Sequence, residues 1–340
     1  MRAFIAIFLV ALAATAVGTP QIRRLAVNLG FVDEPQGRKT QAQPIPLLGG
    51  LAIIAGMLLA VMVAFYFSYG RIPRPVSGVL LASGIVAAVG LIDDRLGLPA
   101  WVKLGGQLCG SIILVYFGIH VQLQLPSAAN YAITILWLVG ISNAINFLDN
   151  MDGLSAGVSA VAASFILLLA TVEGQFLVAA LAAALLGATT GFLRYNFYPA
   201  EIYMGDAGSL FLGFMLAVLA MQLRFPQNSN FVTWMVPVFI LGVPIFDMVL
   251  VVISRLRRGV SPNTPGQDHV SHRLAGRGFS QREAVLILYL FAGICGMVAV
   301  FITQATMEEG YFIGLAAAVL AATAIWRLDR GYVTQEEGLD

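Results

Sequence analysis

The sequence predicts an all-α fold, a polytopic membrane helix bundle of about eleven transmembrane helices, and three observations carry that expectation. Of the 340 residues, 59% are hydrophobic and 11% are charged, against roughly 25% charged in an average soluble domain. The mean hydropathy is +0.85. The apolar residues fall into long runs separated by short polar segments, on the scale of the about 20 residues that a helix needs to cross a ~30 Å hydrocarbon core. The same figures exclude a disordered chain, a coiled coil, a basic nucleic-acid binder and an ordinary cytosolic enzyme.

In chain order the runs are 3–19, 47–67, 76–92, 104–120, 131–147, 154–172, 175–193, 209–223, 232–253, 283–303 and 310–326. An odd number of spans puts the termini on opposite sides. With the N-terminus outside, all but Arg2, Arg71, Arg74 and Arg224 of the 19 basic residues fall in segments facing the cytoplasm, the asymmetry that orients membrane proteins. Residues 1–20 resemble a signal peptide in having Arg2, an apolar run and small residues at 14–16. Arg23, Arg24, Arg38 and Lys39 immediately downstream argue for a retained first span. The expected organisation is one integral-membrane domain over residues 1–330 and a short polar cytoplasmic tail over 331–340. Cys109 and Cys295 both lie in apolar stretches and report neither a disulfide nor a metal site.

The acids follow the basic residues to one face. The predicted outer loops hold Glu173, Glu308 and Glu309, whereas the inner ends hold Asp33, Asp93, Asp94, Asn146, Asp149, Asp152, Asp206, Asp268, His269 and His272. A transporter would spread such groups toward the midplane, so this pattern points to an enzyme at the cytoplasmic interface. The third run ends in Asp93-Asp94-Arg95, two adjacent carboxylates suited to a general base or a Mg²⁺ site or, more plainly, solvated loop acids. Lys103 opens the fourth run as an anion contact or an interfacial anchor. At the end of the fifth, Asn143, Asn146, Asp149 and Asp152 recur every three residues, a stripe that must face protein, water or a ligand. Helix-to-helix hydrogen bonding suffices for Asn143.

Before the eighth run, Tyr203-Met204-Gly205-Asp206-Ala207-Gly208-Ser209 puts an acid between glycines. Asp206 there is either a helix N-cap or part of a close approach to a diphosphate or metal-bound ligand. The longest inner loop, about 254–282, holds Arg255, Arg257 and Arg258, expected as topology determinants, and then His269, His272 and Arg273, a cationic patch suited to phosphate oxygens. Asp247 in the ninth run is expected as a buried structural partner. Carboxylates for a hard cation, cations for phosphates and a lipid-facing site are the parts phosphoryl transfer needs.

These residues resemble the polyprenyl-phosphate N-acetylhexosamine-1-phosphate transferases, the superfamily that includes phospho-N-acetylmuramoyl-pentapeptide transferase. The landmarks are Asp33-Glu34-Pro35, Arg38-Lys39, Pro44-Ile45-Pro46 with Gly49-Gly50, Asp93-Asp94, residues 146–154, Gly205-Asp206-Ala207-Gly208-Ser209, Pro244-Ile245-Phe246-Asp247 and the loop at 269–274. The resemblance implies transfer of a sugar 1-phosphate from a UDP-N-acetylhexosamine, GlcNAc first and GalNAc as an alternative, to undecaprenyl phosphate in the bacterial inner membrane, with release of UMP. It implies catalytic roles for Asp93, Asp94, His269 and His272, and Mg²⁺, with Mn²⁺ as an alternative, held by Asn146 and Asp206. Lys103 and Arg273 would bind the diphosphate and sugar, and Lys39, Asp149, Asp152 and Tyr203 would line the nucleotide side. Ser271 and Gln41 stand where the family often has His. The loop looks more like the UDP-GlcNAc branch than the muramoyl-pentapeptide branch. A cation-coupled transporter is the alternative of a different class, and a homodimer is compatible with the bundle.

Overall fold

The computed structural model describes residues 1–33, 44–262, 264 and 266–337, and the chain falls into two compact units, Met1–Arg224 and Phe225–Asp340. The first contains α1 (Arg2–Leu29), a two-stranded ribbon of β1 (Val32–Asp33) and β2 (Ile45–Pro46), α2 (Gly49–Tyr69), α3 (Arg74–Leu96), α4 (Ala100–Tyr116), α5 (Ser127–Leu148), α6 (Leu154–Val172), α7 (Phe176–Asn196) and α8 (Gly205–Met221). The strands are antiparallel, pairing Val32 with Pro46 and Asp33 with Ile45. The second contains α9 (Asn230–Thr233), α10 (Met235–Ile240), α11 (Gly242–Arg257), α12 (Val270–Ala275), α13 (Gln281–Ile302) and α14 (Met307–Glu337).

Every predicted run falls on helix, but fewer are long enough to span alone. Among the described residues eight helices are long and apolar enough to cross a membrane, or nine if the pair around Leu241, bent by 75° between Ile240 and Gly242, is counted as one broken span rather than a re-entrant loop. The remaining two, α4 and α8, have 17 residues each. For α8 the reason is its position: residues 207–221 are all buried, and α2, α3, α5, α6 and α7 pack around it. A helix apolar on every side belongs in a core, and one screened from lipid need not match the bilayer thickness.

Small residues let the outer helices close on one another, as in other membrane bundles. Ala179, Ala180, Ala182, Ala183, Ala184 and Ala188 of α7 are buried, and α7 packs on α1, α2 and α6. A Cβ at Gly187 would stand 2.3 Å from the Phe8 carbonyl oxygen, so the α1–α7 crossing requires glycine there. Large apolar side chains that are exposed, such as Leu286, Leu290, Ile294 and Met297 on α13 and Phe312, Leu315 and Leu320 on α14, form surface that lipid rather than water would cover.

The up-and-down course of the first unit brings alternate helix ends together. Leu47 N–H donates to Phe31 O at 3.0 Å, Gly49 N–H to Tyr203 O at 2.8 Å, and Gly153 N–H to Asn196 Oδ1 at 3.1 Å. The ends of α1, α3, α5 and α7 and the starts of α2, α4, α6 and α8 thus share one end of the bundle, and the polar motifs lie there.

Candidate active site

Asp93 and Asp94 occupy the last turn of α3, where neighbouring side chains diverge by about 100°. Asp93 accepts from the Leu98 N–H at 2.6 Å and from Lys103 Nζ at 2.9 Å. Asp94 turns to α8, accepting the Asp206 N–H at 2.7 Å and the Ala207 N–H at 3.1 Å. It thereby satisfies donors that the first turn of any helix leaves without an intrahelical partner. Gly205, at φ +68°, makes this approach possible: a Cβ there would lie 2.6 Å from both Asp94 Oδ2 and the Leu47 carbonyl oxygen.

Held in this way, α8 presents the Asp206 side chain to two other helices. Its Oδ2 pairs with Lys103 Nζ at 2.9 Å, and its Oδ1 accepts from Asn146 Nδ2 at 2.9 Å. The same Asn146 nitrogen donates to Ser209 Oγ at 2.9 Å. Lys103 therefore bridges Asp93 and Asp206, joining α3, α4 and α8, with α5 attached through Asn146. One turn earlier on α5, Asn143 Nδ2 donates to Gln107 Oε1 at 2.7 Å, the helix-to-helix role expected of it.

Beyond α5, Asp152 accepts from the Ala200 N–H at 2.9 Å, and the Tyr203 hydroxyl reaches its carboxylate. Buried Asn196 ties this region together, accepting from Gly153 N–H and donating to Ile202 O at 3.0 Å. Burial, and then the charges of Asp206, Asp94 and Asp152, push the Asp149 carboxyl up to about 8. Burial also raises the Asp152 carboxyl and, with the negative charge of Asp152, the Tyr203 phenol. The side chains that set these shifts hold more carboxylates than cations.

Among the described residues no three His, Cys, Asp or Glu side chains converge on one ion position. Mg²⁺ is usually held by one or two carboxylates, with substrate phosphates and waters completing six oxygens. Asp206 beside Asp93 and Asn146, in surplus negative charge, fits that chemistry.

The second unit carries the His loop. On the buried face of α11, Asp247, Ser254 and Arg255 each reach into it. Asp247 accepts from Val270 N–H at 2.8 Å and lies 2.7 Å from His269 Nδ1. Arg255 forks onto Asp268, Nε to Oδ2 at 2.9 Å and Nη2 to Oδ1 at 2.7 Å, and Arg258 adds a third contact at 2.7 Å. Although burial opposes it, this pairing with Arg255 holds the Asp268 carboxyl below its ordinary range. Arg273, 3% exposed, donates to Asp268 O at 2.7 Å, Leu328 O at 2.7 Å and Ser254 Oγ at 2.9 Å. Burial, reinforced by the charge of His269, lowers His272 to about 4.

The glycosyl transferase family 4 profile matches residues 76–224, from α3 through α8. The Probable undecaprenyl-phosphate N-acetylglucosaminyl 1-phosphate transferase of Bacillus subtilis (strain 168) is 35% identical, over 90% of this chain and 87% of its own. The chain belongs to glycosyl transferase family 4. The Decaprenyl-phosphate N-acetylglucosaminephosphotransferase of Mycobacterium tuberculosis (strain H37Rv) is 33% identical, over 96% of this chain and 89% of its own. The Undecaprenyl-phosphate alpha-N-acetylglucosaminyl 1-phosphate transferase of Escherichia coli (strain K12) is 28% identical, over 82% and 78%.

In this family 4 member, the residues singled out from sequence sort into three groups. Asp93, Asp94, Lys103, Asn146, Asp149, Asp152, Tyr203 and Asp206 gather at one end of the first unit. His269, His272 and Arg273 share the loop of the second, and Lys39 lies outside the described residues. Sequence reading missed Ser209, Gln107 and Asn196, although Ser209 stood inside the Gly205 to Ser209 motif. It also took Arg255 as a topology determinant, whereas Arg255 is 4% exposed and locked to Asp268.

Proposed function

We propose that this chain transfers GlcNAc 1-phosphate from UDP-GlcNAc to a polyprenyl phosphate, undecaprenyl phosphate first, at the cytoplasmic face of the bacterial inner membrane. The bond that breaks joins the sugar-bearing phosphorus to the bridging oxygen, which leaves on UMP. The bond that forms joins that phosphorus to an oxygen of the lipid phosphate. The observation that carries the reading is Lys103 bridging Asp93 and Asp206 at 2.9 Å each, at the polar end of a membrane bundle. The names of the relatives supply the transferred group and the acceptor class, and the family resemblance supplies the UDP donor.

Two anions must meet in this reaction, so neutralising their repulsion is the larger part of the task. A phosphate monoester has its second pKa near about 6 and is mostly dianionic at neutral pH, so the base has little proton to remove. Asp93, held by Lys103 and the Leu98 N–H, takes that proton and orients the lipid phosphate. Lys103 meets phosphoryl oxygens, and Asp149, Asp152 and Tyr203 line the nucleotide side. Asn146 and Asp206 would hold Mg²⁺, which when bound neutralises diphosphate charge and polarises the phosphorus. Asp94 acts through the start of α8. For His269 and His272 the catalytic roles are those the family resemblance implies, and Arg273 braces their loop from inside. The distribution of the basic residues supports a cytoplasmic position for this end.

The test is UMP release by detergent-solubilised protein with Mg²⁺ and undecaprenyl phosphate over UDP-GlcNAc, UDP-GalNAc and UDP-MurNAc-pentapeptide. Release with UDP-GlcNAc supports the proposal. Release with another donor alone moves the substrate, and no release by folded protein from any of the three rejects it.

A further inference from the structure

At the end of the first unit opposite the candidate active site, the segment joining α2 to α3 lines a cavity of about 730 Å³. Arg71, Ile72, Pro73, Arg74 and Ser77 form most of the lining, and Leu177 of α7 completes it. The volume is that of a small-molecule site. The lining carries two positive charges and no negative one, and the sequence holds no acid between Glu34 and Asp93. Both arginines are exposed, but the backbone that presents them is restrained. Gly70, at φ +64°, ends α2 with its N–H on Tyr66 O at 2.9 Å, and Pro73 and Pro75 flank Arg74. The Arg74 guanidinium lies 5.8 Å from the centre of the Phe117 ring. That ring is itself seated on α3, where a Cβ at Gly78 would stand 2.5 Å from it. Arg71 and Arg74 are among the four basic residues that break the predicted charge asymmetry, so the orientation of the chain does not account for them.

We propose that Arg71 and Arg74 form a binding site for a phosphate group of net negative charge, separate from the transfer site. A guanidinium offers planar paired donors that match phosphate oxygens. Two of them supply charge that the lining leaves unopposed, and Ile72, Pro73 and Leu177 supply apolar wall for whatever the phosphate carries. An anionic phospholipid meets all of these features, and free phosphate meets the polar ones. Two arginines serving only as interfacial anchors would hold such a ligand no better than any other exposed pair, and that difference can be measured.

The test titrates phosphatidylglycerol into delipidated full-length protein in a non-ionic detergent and follows the first bound lipid by native mass spectrometry. Inorganic phosphate is the second arm, read as a rise in Tm, since a ligand that binds only the folded state stabilises it. Arg71→Gln/Arg74→Gln should weaken the preferred ligand by about tenfold or more. Arg24→Gln/Arg327→Gln makes the same change of charge at two other exposed arginines and should stay within about twofold of wild type. Ser77→Phe keeps both charges, gives up only a 3.4 Å hydroxyl contact to Pro73 O and crowds the cavity. It should weaken binding about as much, and it carries the test should the double variant at 71 and 74 not fold. A lipid effect without a phosphate effect assigns the site to a phospholipid, and a Tm rise with phosphate that the variants lose assigns it to the free ion. Equal losses in the two double variants, or no loss in either arm, overturn the proposal. Wild-type affinity in Ser77→Phe puts the ligand outside the cavity and overturns it as well.

Discussion

Asp94 holds Asp206 by its backbone: Asp94 Oδ1 accepts the Asp206 N–H at 2.7 Å, so a carboxylate ending α3 fixes the start of α8. Its neighbour Asp93 instead meets Lys103 Nζ at 2.9 Å. The pair should therefore fail in different ways. Asp94→Ala leaves the Asp206 and Ala207 N–H groups without their acceptor, at a cost of about 1–3 kcal/mol, and should lower Tm together with activity. Asp93→Asn should keep Tm within a few degrees while kcat falls about 10²-fold or more. Thermal unfolding and UMP release on both variants check this.

Lys103 is the cation between Asp93 and Asp206. Removing it in Lys103→Ala leaves two close carboxylates facing each other. Divalent cation binding without substrate should then tighten, while turnover falls because a phosphate contact is lost. Titration with Mn²⁺ followed by electron paramagnetic resonance reads the first effect; weaker binding in the variant would contradict it.

His272 supplies a pH signature. Its folded value, lowered to about 4 by burial and by His269, lies below the ordinary 6.5. Between those values the unfolded chain binds more protons than the folded one, so stability rises with pH across that window and is lost as pH falls through it. The Tm of wild type minus that of His272→Gln should decline from pH 7 to pH 4, and a flat difference would contradict the burial of a neutral ring.

Arg273 spans three acceptors from a buried position. A lysine is a point donor and cannot reproduce that fork. Arg273→Lys should cost about 2–4 kcal/mol in unfolding, with KM for UDP-GlcNAc within about twofold of wild type where the protein is folded. A large rise in KM at unchanged stability would make Arg273 a substrate contact instead.

Much of this was legible in the sequence because membrane helices declare themselves by length and apolarity, and the motifs mark their ends. The limits are equally physical. Nothing local distinguishes Asp93 from Asp94; their different partners are set by where α4 and α8 lie. The burial of Arg255 and Arg273 depends on Asp268 and Leu328, the latter 55 residues from Arg273, and a basic loop residue looks the same whether it meets lipid or a buried acid. The bend at Leu241 falls within a continuous apolar run, where hydropathy carries no sign of it.

The central claim is that a phosphate travels with the sugar, and UDP-GlcNAc labelled with ³²P at the β-phosphate tests it directly. With undecaprenyl phosphate and Mg²⁺, the label should move to the lipid fraction in step with UMP release. Label leaving in UDP, with unlabelled sugar on the lipid, would mean transfer of the sugar alone and would contradict the account.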